Sequence, residues 1–250
     1  MASITEDRHL PAVQPLTARS VVLTVLLGLH PPELPVNSLV RVGALFGIAE
    51  RTTRVALTRM AANGDVITED GVYRLTERLV RRQAQQEADC SPATRPWNDT
   101  WEMAVVTAES RPLVERVALR RSMVALRLAE LREGVWLRPA NLLRLPDDTV
   151  AEQCTFFSDV RYRDSSVLAR SLWDLPAWAS EARRLQRELD HAKDFKDGFM
   201  AATKVLRHLL LDPVLPPEML PGNWPGADIR ARFAQFSTEY AARLRDYCQS

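Results

Sequence analysis

With 250 residues the chain is long enough for two or three small domains with real cores. Its hydrophobic (46%) and charged (26%) fractions are those of an ordinary soluble globular protein, and 33 basic against 32 acidic side chains leave a formal charge of +1. Bulk charge therefore gives no affinity for nucleic acid, which would have to come from a local patch, and no apolar run approaches the roughly 20 residues of a membrane span.

The start, Met1 to His9, is polar and lacks a signal-peptide core, so residues 1–16 are expected to be a loose tail. A helix from about Thr17 to Leu29 follows, with Val21, Val22, Val25 and Leu29 at helical spacing. Next comes a short helix capped by Asn37, with an apolar stripe of Leu39, Val40, Val42 and Phe46. Gly47 stands where the chain must turn sharply, a place that favours a residue without a Cβ. The second helix of the pair is predicted over Glu50–Ala62 and stopped by Asn63-Gly64. Its period turns Thr53, Ala56, Leu57 and Met60 toward a core, and Arg51, Arg54, Val55, Thr58 and Arg59 the other way.

That second face suits a DNA major groove. Arginine bridges guanine O6 and N7, and arginine and threonine both hold phosphates. Arginine by itself is weak evidence here: only Lys193, Lys196 and Lys204 of the 33 basic residues are lysine, so arginine is the default cation on any wet helix face. The order of elements carries the reading. Val66–Thr68 and Val72–Leu75 form two short strands around Glu69-Asp70-Gly71, and Asp-Gly is a strong hairpin signal. Helix, turn, helix and hairpin make a winged helix-turn-helix over residues 17–89, with Tyr73 and Arg74 of the short, acidic wing in a supporting role.

Thr76 to Ala88 reads as a polar helix, and Asp89 to Pro96, with two prolines and no periodicity, as a linker. A strand is predicted over Trp101–Thr107, then a helix over Arg111–Glu133 with an apolar face of Val114, Val117, Ala118, Val124, Leu128 and Leu131, ended by Gly134. Val135–Leu137 and Gln153–Phe157 are further strands, so residues 97–165 have the content of a small α+β sandwich of ferredoxin type. Residues 166–250 read as helical: Leu172–Trp178 leads into a helix to about Leu189, and Asp194–Leu211 is another. After an irregular, proline-rich Asp212–Gly226, a last helix runs from Asp228 to Tyr247 with Ile229, Phe233, Phe236, Tyr240 and Leu244 on one face. The fold class is α+β: a winged helix-turn-helix, a ferredoxin-like middle domain and a helical C-terminal domain.

Nothing in the chain spells out catalysis. His9, His30, His191 and His208 are scattered, and Cys90, Cys154 and Cys248 are far apart, so no metal or cofactor motif is present. The odd, unclustered cysteines suit a reducing cytoplasm. There is no phosphate-binding loop, dinucleotide fingerprint or nucleophile elbow. The first middle-domain strand ends Ala104-Val105-Val106-Thr107-Ala108 without a carboxylate, and Glu109 reads as a solvated loop residue. A non-enzyme is expected.

Three passages resemble the PaaX-like family of bacterial repressors, named for control of phenylacetic-acid breakdown. The first comprises Ala18-Arg19-Ser20, Phe46–Arg51 and Arg54–Met60; the second Trp97-Asn98-Asp99-Thr100-Trp101 and Gly134–Pro139; the third the proline-spaced run Leu211–Gly226. The resemblance covers about residues 17–247. It implies a cytoplasmic dimeric repressor that leaves its operator when an aryl acyl-CoA such as phenylacetyl-CoA binds. One small winged helix buries little DNA, so a symmetric homodimer on a palindromic double-stranded DNA operator is expected. It also implies a middle domain similar to the ferredoxin-like fold of CRISPR spacer-acquisition nucleases.

An acyl-CoA effector needs cations for its phosphates, an apolar slot and an aromatic face. By residue type the candidates are Trp136, Arg138, Arg161, Arg163, Trp173, Trp178 and Trp224. The competing reading makes the tryptophans core residues and pairs the arginines with Asp159, Asp164 and Asp174. Together these features lead to the expectation of a DNA-binding transcriptional repressor released by a small acidic ligand. The alternative is an interaction or scaffold module without DNA binding, and a minor third is a metal-dependent nuclease.

Overall fold

A computed structural model describes residues 16–108, 112–143 and 148–249. The expected tail (apart from Leu16), Glu109 and the Arg111 start of the predicted helix lie outside the described residues. The chain forms two compact units: the described residues up to Gln83 together with those from Glu239 on, and Ala84–Thr238.

In the first unit, helix α1 (Ala18–Leu27) starts at a reciprocal cap, in which the Thr17 hydroxyl accepts from the Ser20 backbone N–H and Ser20 Oγ accepts from that of Thr17. Strand β1 (Glu33–Pro35) leads directly into α2 (Val36–Leu45). The expected Asn37 cap is corrected. Pro35, in extended conformation, is the N-cap with no side-chain cap bond, so Asn37 falls inside the helix and is exposed. Helix α3 (Glu50–Ala62) has the predicted bounds and is followed by β2 (Val66–Glu69) and β3 (Val72–Leu75). Asp70 (φ 50°) and Gly71 (φ 76°) form the type I′ turn between them. The sheet order is β1-β3-β2, all antiparallel, so the wing is a three-stranded sheet rather than a bare hairpin. Helix α4 (Glu77–Cys90) follows.

The core of this unit is the three-helix centre: Val21, Val22, Val25 and Leu26 of α1 against Leu39 and Val42 of α2 and Leu57 and Met60 of α3, all buried. Each such side chain contributes about 1.5–3 kcal/mol by leaving water. One polar residue belongs to this core. Buried Gln83 donates through Nε2 to the carbonyls of Leu27 (2.7 Å) and Leu29 (3.0 Å), satisfying acceptors that the end of α1 leaves free.

The second unit contains β4 (Trp101–Val106), α5 (Leu113–Ala125), β5 (Ala129–Arg132), β6 (Val135–Pro139), α6 (Asp148–Ala151) and β7 (Cys154–Val160). The sheet order β5-β6-β4-β7, antiparallel throughout, is the ferredoxin-like arrangement. Here the long predicted helix is corrected. It ends at Ala125, Arg127 takes a left-handed conformation (φ 59°), and β5 and β6 form a hairpin around Gly134. The predicted apolar face is corrected with it: Leu119 and Met123 face the core, while Val114 (79% exposed), Val117, Ala118, Val124 and Leu131 face water.

Helices α7 (Ser165–Leu172), α8 (Leu175–Asp190) and α9 (Phe195–Leu210) follow. Each is capped by an aspartate, Asp164, Asp174 and Asp194, whose carboxylate accepts a backbone N–H of the first turn. A 3-10 turn at Pro217–Met219 interrupts the irregular run before α10 (Gly226–Gln249). One face of the sheet packs Ala104, Trp136 and Cys154 with Leu119 and Met123 of α5. The other packs Trp101 and Leu137 with α7, Trp173, Leu215 and Met219. A separate core joins Trp178 and Leu185 of α8, Val205 and Leu209 of α9, and Ile229 of α10.

Candidate nucleic-acid interface

The turn between α2 and α3 is tight. Gly47 has φ 73°, a left-handed conformation that a side chain resists, and the Ile48 N–H reaches back to the Gly43 carbonyl at 3.0 Å. Thr53, Leu57 and Met60 turn inward, which leaves the opposite side of α3 in water. Arg51, Arg54, Val55, Thr58 and Arg59 are all exposed, as predicted; Val55 keeps 43% of its surface in solvent. An apolar residue among arginines on a wet face matches what a thymine methyl needs in a groove. Thr58 Oγ1 donates to the Arg54 carbonyl (3.1 Å), leaving its lone pairs outward as acceptors. Arg54 Nε donates to Glu50 Oε1 at 2.7 Å, an exposed i,i+4 pair. Thr52, exposed in the first turn, was not singled out from sequence, where a threonine beside a core threonine carries no signal of its own.

Behind α3 a charged anchor holds the motif. Asp65 is buried and accepts from Arg19 Nη2 (2.8 Å) and Nε (3.1 Å) and from Arg78 Nη2 (2.8 Å). Burial alone would raise its pKa, but hydrogen bonds and charge from Arg19 and Arg78 outweigh that and hold it below the ordinary value. In the wing, Tyr73 and Arg74 are half-buried on the central strand, opposite Thr68 and Ile67. Arg74 therefore lies away from the tip and is shared between Glu33 (3.3 Å) and Glu69 (3.8 Å).

Three contacts tie the end of α10 to this same unit. The Arg41 guanidinium lies over the Tyr247 ring (4.8 Å), Ser38 Oγ donates to the Cys248 carbonyl (3.4 Å), and Arg245 Nη2 donates to the His30 carbonyl (2.8 Å).

The effector candidates in the second unit do not share one surface. Trp136 is buried on the α5 side of the sheet with the Arg120 guanidinium over its ring (5.3 Å). Trp173 is buried on the other side, stacked on Trp101 (6.5 Å). Arg138 is 0% exposed; it pairs with Glu102 (3.2 Å) and donates to Asn141 Oδ1 (2.8 Å) and to the carbonyls of Pro139, Pro213 and Val214. Arg161 and Arg163 are exposed, and Arg161 pairs with Asp99 at 3.7 Å. Asp164 and Asp174 serve as helix caps. Trp224 is half-buried and stacks on Trp178, with ring centroids 4.6 Å apart.

Among the described residues no group of three or more His, Cys, Asp or Glu is placed to hold a metal, and no helix is long and apolar enough to cross a membrane. The fold and the basic helix face define a winged helix-turn-helix protein carrying a ferredoxin-like domain and a helical domain. Residues 17–79 match the PaaX-like protein model, 94–167 the PaaX protein central Cas2-like domain and 174–250 the PaaX-like protein C-terminal domain; the chain belongs to the PaaX-like family. It is similar to an uncharacterized protein from Mycobacterium tuberculosis of known structure, at 44% identity over 94% of this chain and 100% of that one, with a TM-score of 0.82. No curated protein is significantly similar to it.

Proposed function

We propose that this regulator is a DNA-binding transcriptional repressor, cytoplasmic and homodimeric, released from a palindromic operator by a small acidic effector of the acyl-CoA class, such as phenylacetyl-CoA. The observation that carries the DNA reading is the outward face of α3, where Arg51, Arg54, Val55, Thr58 and Arg59 lie together in water on a helix set by the Gly47 turn. Arg51 and Arg54 are suited to base edges and Arg59 to phosphate, with Tyr73 and Arg74 in support from the wing. One such helix covers little DNA, so a symmetric pair on half-sites about one helical turn apart, or a multiple of it, is the economical arrangement. Family membership supports the regulatory class, and the effector is read from that same resemblance.

The test is a gel shift and footprint on the upstream region of the protein's own operon, at stated salt, with light scattering of the free protein. Two protected half-sites and a dimer are expected. Failure to shift that DNA above non-specific competitor would favour an interaction module. Metal-dependent cleavage of the probe would favour a nuclease.

A further inference from the structure

Trp178 is nine-tenths buried, and its indole N–H meets no hydrogen-bond acceptor among the described residues. Leaving a buried donor unpaired is unfavourable, and native cores rarely do it without a reason. Two rings stack on it. His208 does so with 4.4 Å between centroids and is tied to the Trp178 carbonyl through Nε2 at 3.0 Å. Trp224 does so with 4.6 Å between centroids. The two covers differ in kind. His208 is buried within α9, whereas Trp224 is half-exposed and follows Pro221, Gly222 and Asn223, all exposed, on an irregular segment. Asn223 has φ 59°, and its carbonyl is held by Arg183 Nη2 (2.7 Å). Trp224 lies so close to the start of α10 that a Cβ on Gly226 would sit 2.5 Å from its Nε1.

We propose that Trp224 is a displaceable plug and that Trp178 is the floor of a binding site for an aromatic ring carrying a carbonyl or carboxylate oxygen on a short flexible arm. The ligand ring takes the place of Trp224 against Trp178. Its oxygen, carried past the ring edge on that arm, accepts the in-plane Trp178 N–H, and its anionic group takes Arg183 as that side chain leaves the Asn223 carbonyl. Aromatic face, unused donor and exposed arginine together select an aromatic acid or its thioester over a purely aliphatic or cationic ligand. This rests on the reading of an acid-released repressor and gives that effector a place.

The plug makes opposite predictions for two neighbouring tryptophans. Closed protein binds with an affinity reduced by the fraction that is open, so removing the plug raises affinity. Calorimetric titration of the full chain with phenylacetate, phenylacetyl-CoA and CoA separates ring, thioester and nucleotide contributions. Trp224→Ala is expected to bind the aryl probes several-fold more tightly, and Trp178→Phe roughly tenfold more weakly. Melting curves verify folding. If Trp178→Phe does not fold, 3-benzothienylalanine at that position keeps the shape and removes only the donor. Equal loss in both variants, unchanged affinity in both, or no binding of any of the three probes to wild type at millimolar concentration overturns the site. Operator release is followed in parallel. Release that Trp178→Phe leaves intact rejects this site and keeps the effector reading; binding that obeys the opposite-sign pattern without release keeps the site and rejects the effector reading.

Discussion

A Cβ on Gly43 would lie 2.5 Å from Thr53 Oγ1. At these two residues α2 and α3 pack without room for another side-chain carbon. Gly43→Ala gains helix propensity, worth about 1 kcal/mol, but forces the helices apart, at a cost of about 1–3 kcal/mol. The clash is expected to win. In a Thr53→Ala background the oxygen is gone, and the same change is expected to become neutral or stabilising. Urea unfolding of the four proteins gives the coupling; equal effects of Gly43→Ala in both backgrounds would show that the contact does not limit the approach.

Asp65 supplies the second anchor. Its carboxylate is held below 3.8, so the stability it adds is fully present above that pH and is lost as pH falls through the lower folded value. Asp65→Asn leaves the arginines without a charged partner, and a loss of about 1–3 kcal/mol at pH 7 is expected. The difference between wild type and variant, measured by unfolding at a series of pH values, is expected to shrink only below pH 3.8.

Where structural information was local, the sequence was readable. Helix α3 has its predicted bounds because Asn63-Gly64 is a local stop and Thr53, Leu57 and Met60 follow one another at steps of four and three residues, the helical period. Strand β1 was not visible: Glu-Leu-Pro after two prolines reads as loop, and only pairing with β3, some forty residues on, makes it a strand. Helix α5 stops short of where its apolar period runs out. Leu128 and Leu131 fit the count, but Arg127 leaves the helical region first and the next residues pair with β6. Arg138 shows a different blindness. An arginine in a strand reads as a wet residue, and its complete burial depends on Glu102 across the sheet and on carbonyls at 213 and 214. The outward residues of α3 were legible as a group. The stacked Trp178, Trp224 and His208 were not, since contacts among three separate segments leave no spacing to read.

His208 is expected to make the second unit sensitive to mild acid. Burial lowers its pKa below 6.5 despite the Trp178 carbonyl, which favours the charged form. A depressed folded pKa means that the unfolded chain takes up the proton first. Stability is therefore full above 6.5 and declines as pH falls toward and through the folded value. Unfolding measured at pH 7.5 and pH 5 is expected to show this decline in wild type and a smaller one in His208→Gln. An equal decline in both would place the acid sensitivity elsewhere.

The exposed Glu50–Arg54 pair sets the last prediction, because it occupies an arginine that the DNA reading needs. Both side chains are about half in solvent, so the pair adds little to stability. Glu50 also places a negative charge in the first turn of the helix that is to approach phosphates. Glu50→Gln is therefore expected to tighten operator binding, up to about fivefold for an exposed pair worth ~1 kcal/mol. It costs the helix a few tenths of a kcal/mol, or about 1 at most, of favourable dipole interaction. Arg54→Ala is expected to weaken binding by about 1–3 kcal/mol and to relax preference at one base pair. The two changes separate the routes by which Glu50 acts. If it restrains Arg54, Glu50→Gln should lose most of its benefit in an Arg54→Ala background. If it only repels the backbone, the benefit should persist there and fade with added salt as the phosphates are screened. Fluorescence anisotropy on the operator and on one-base variants, at two salt concentrations, reads both quantities. Wild-type affinity in Glu50→Gln, Arg54→Ala and the double variant alike would mean that this end of α3 does not meet the DNA.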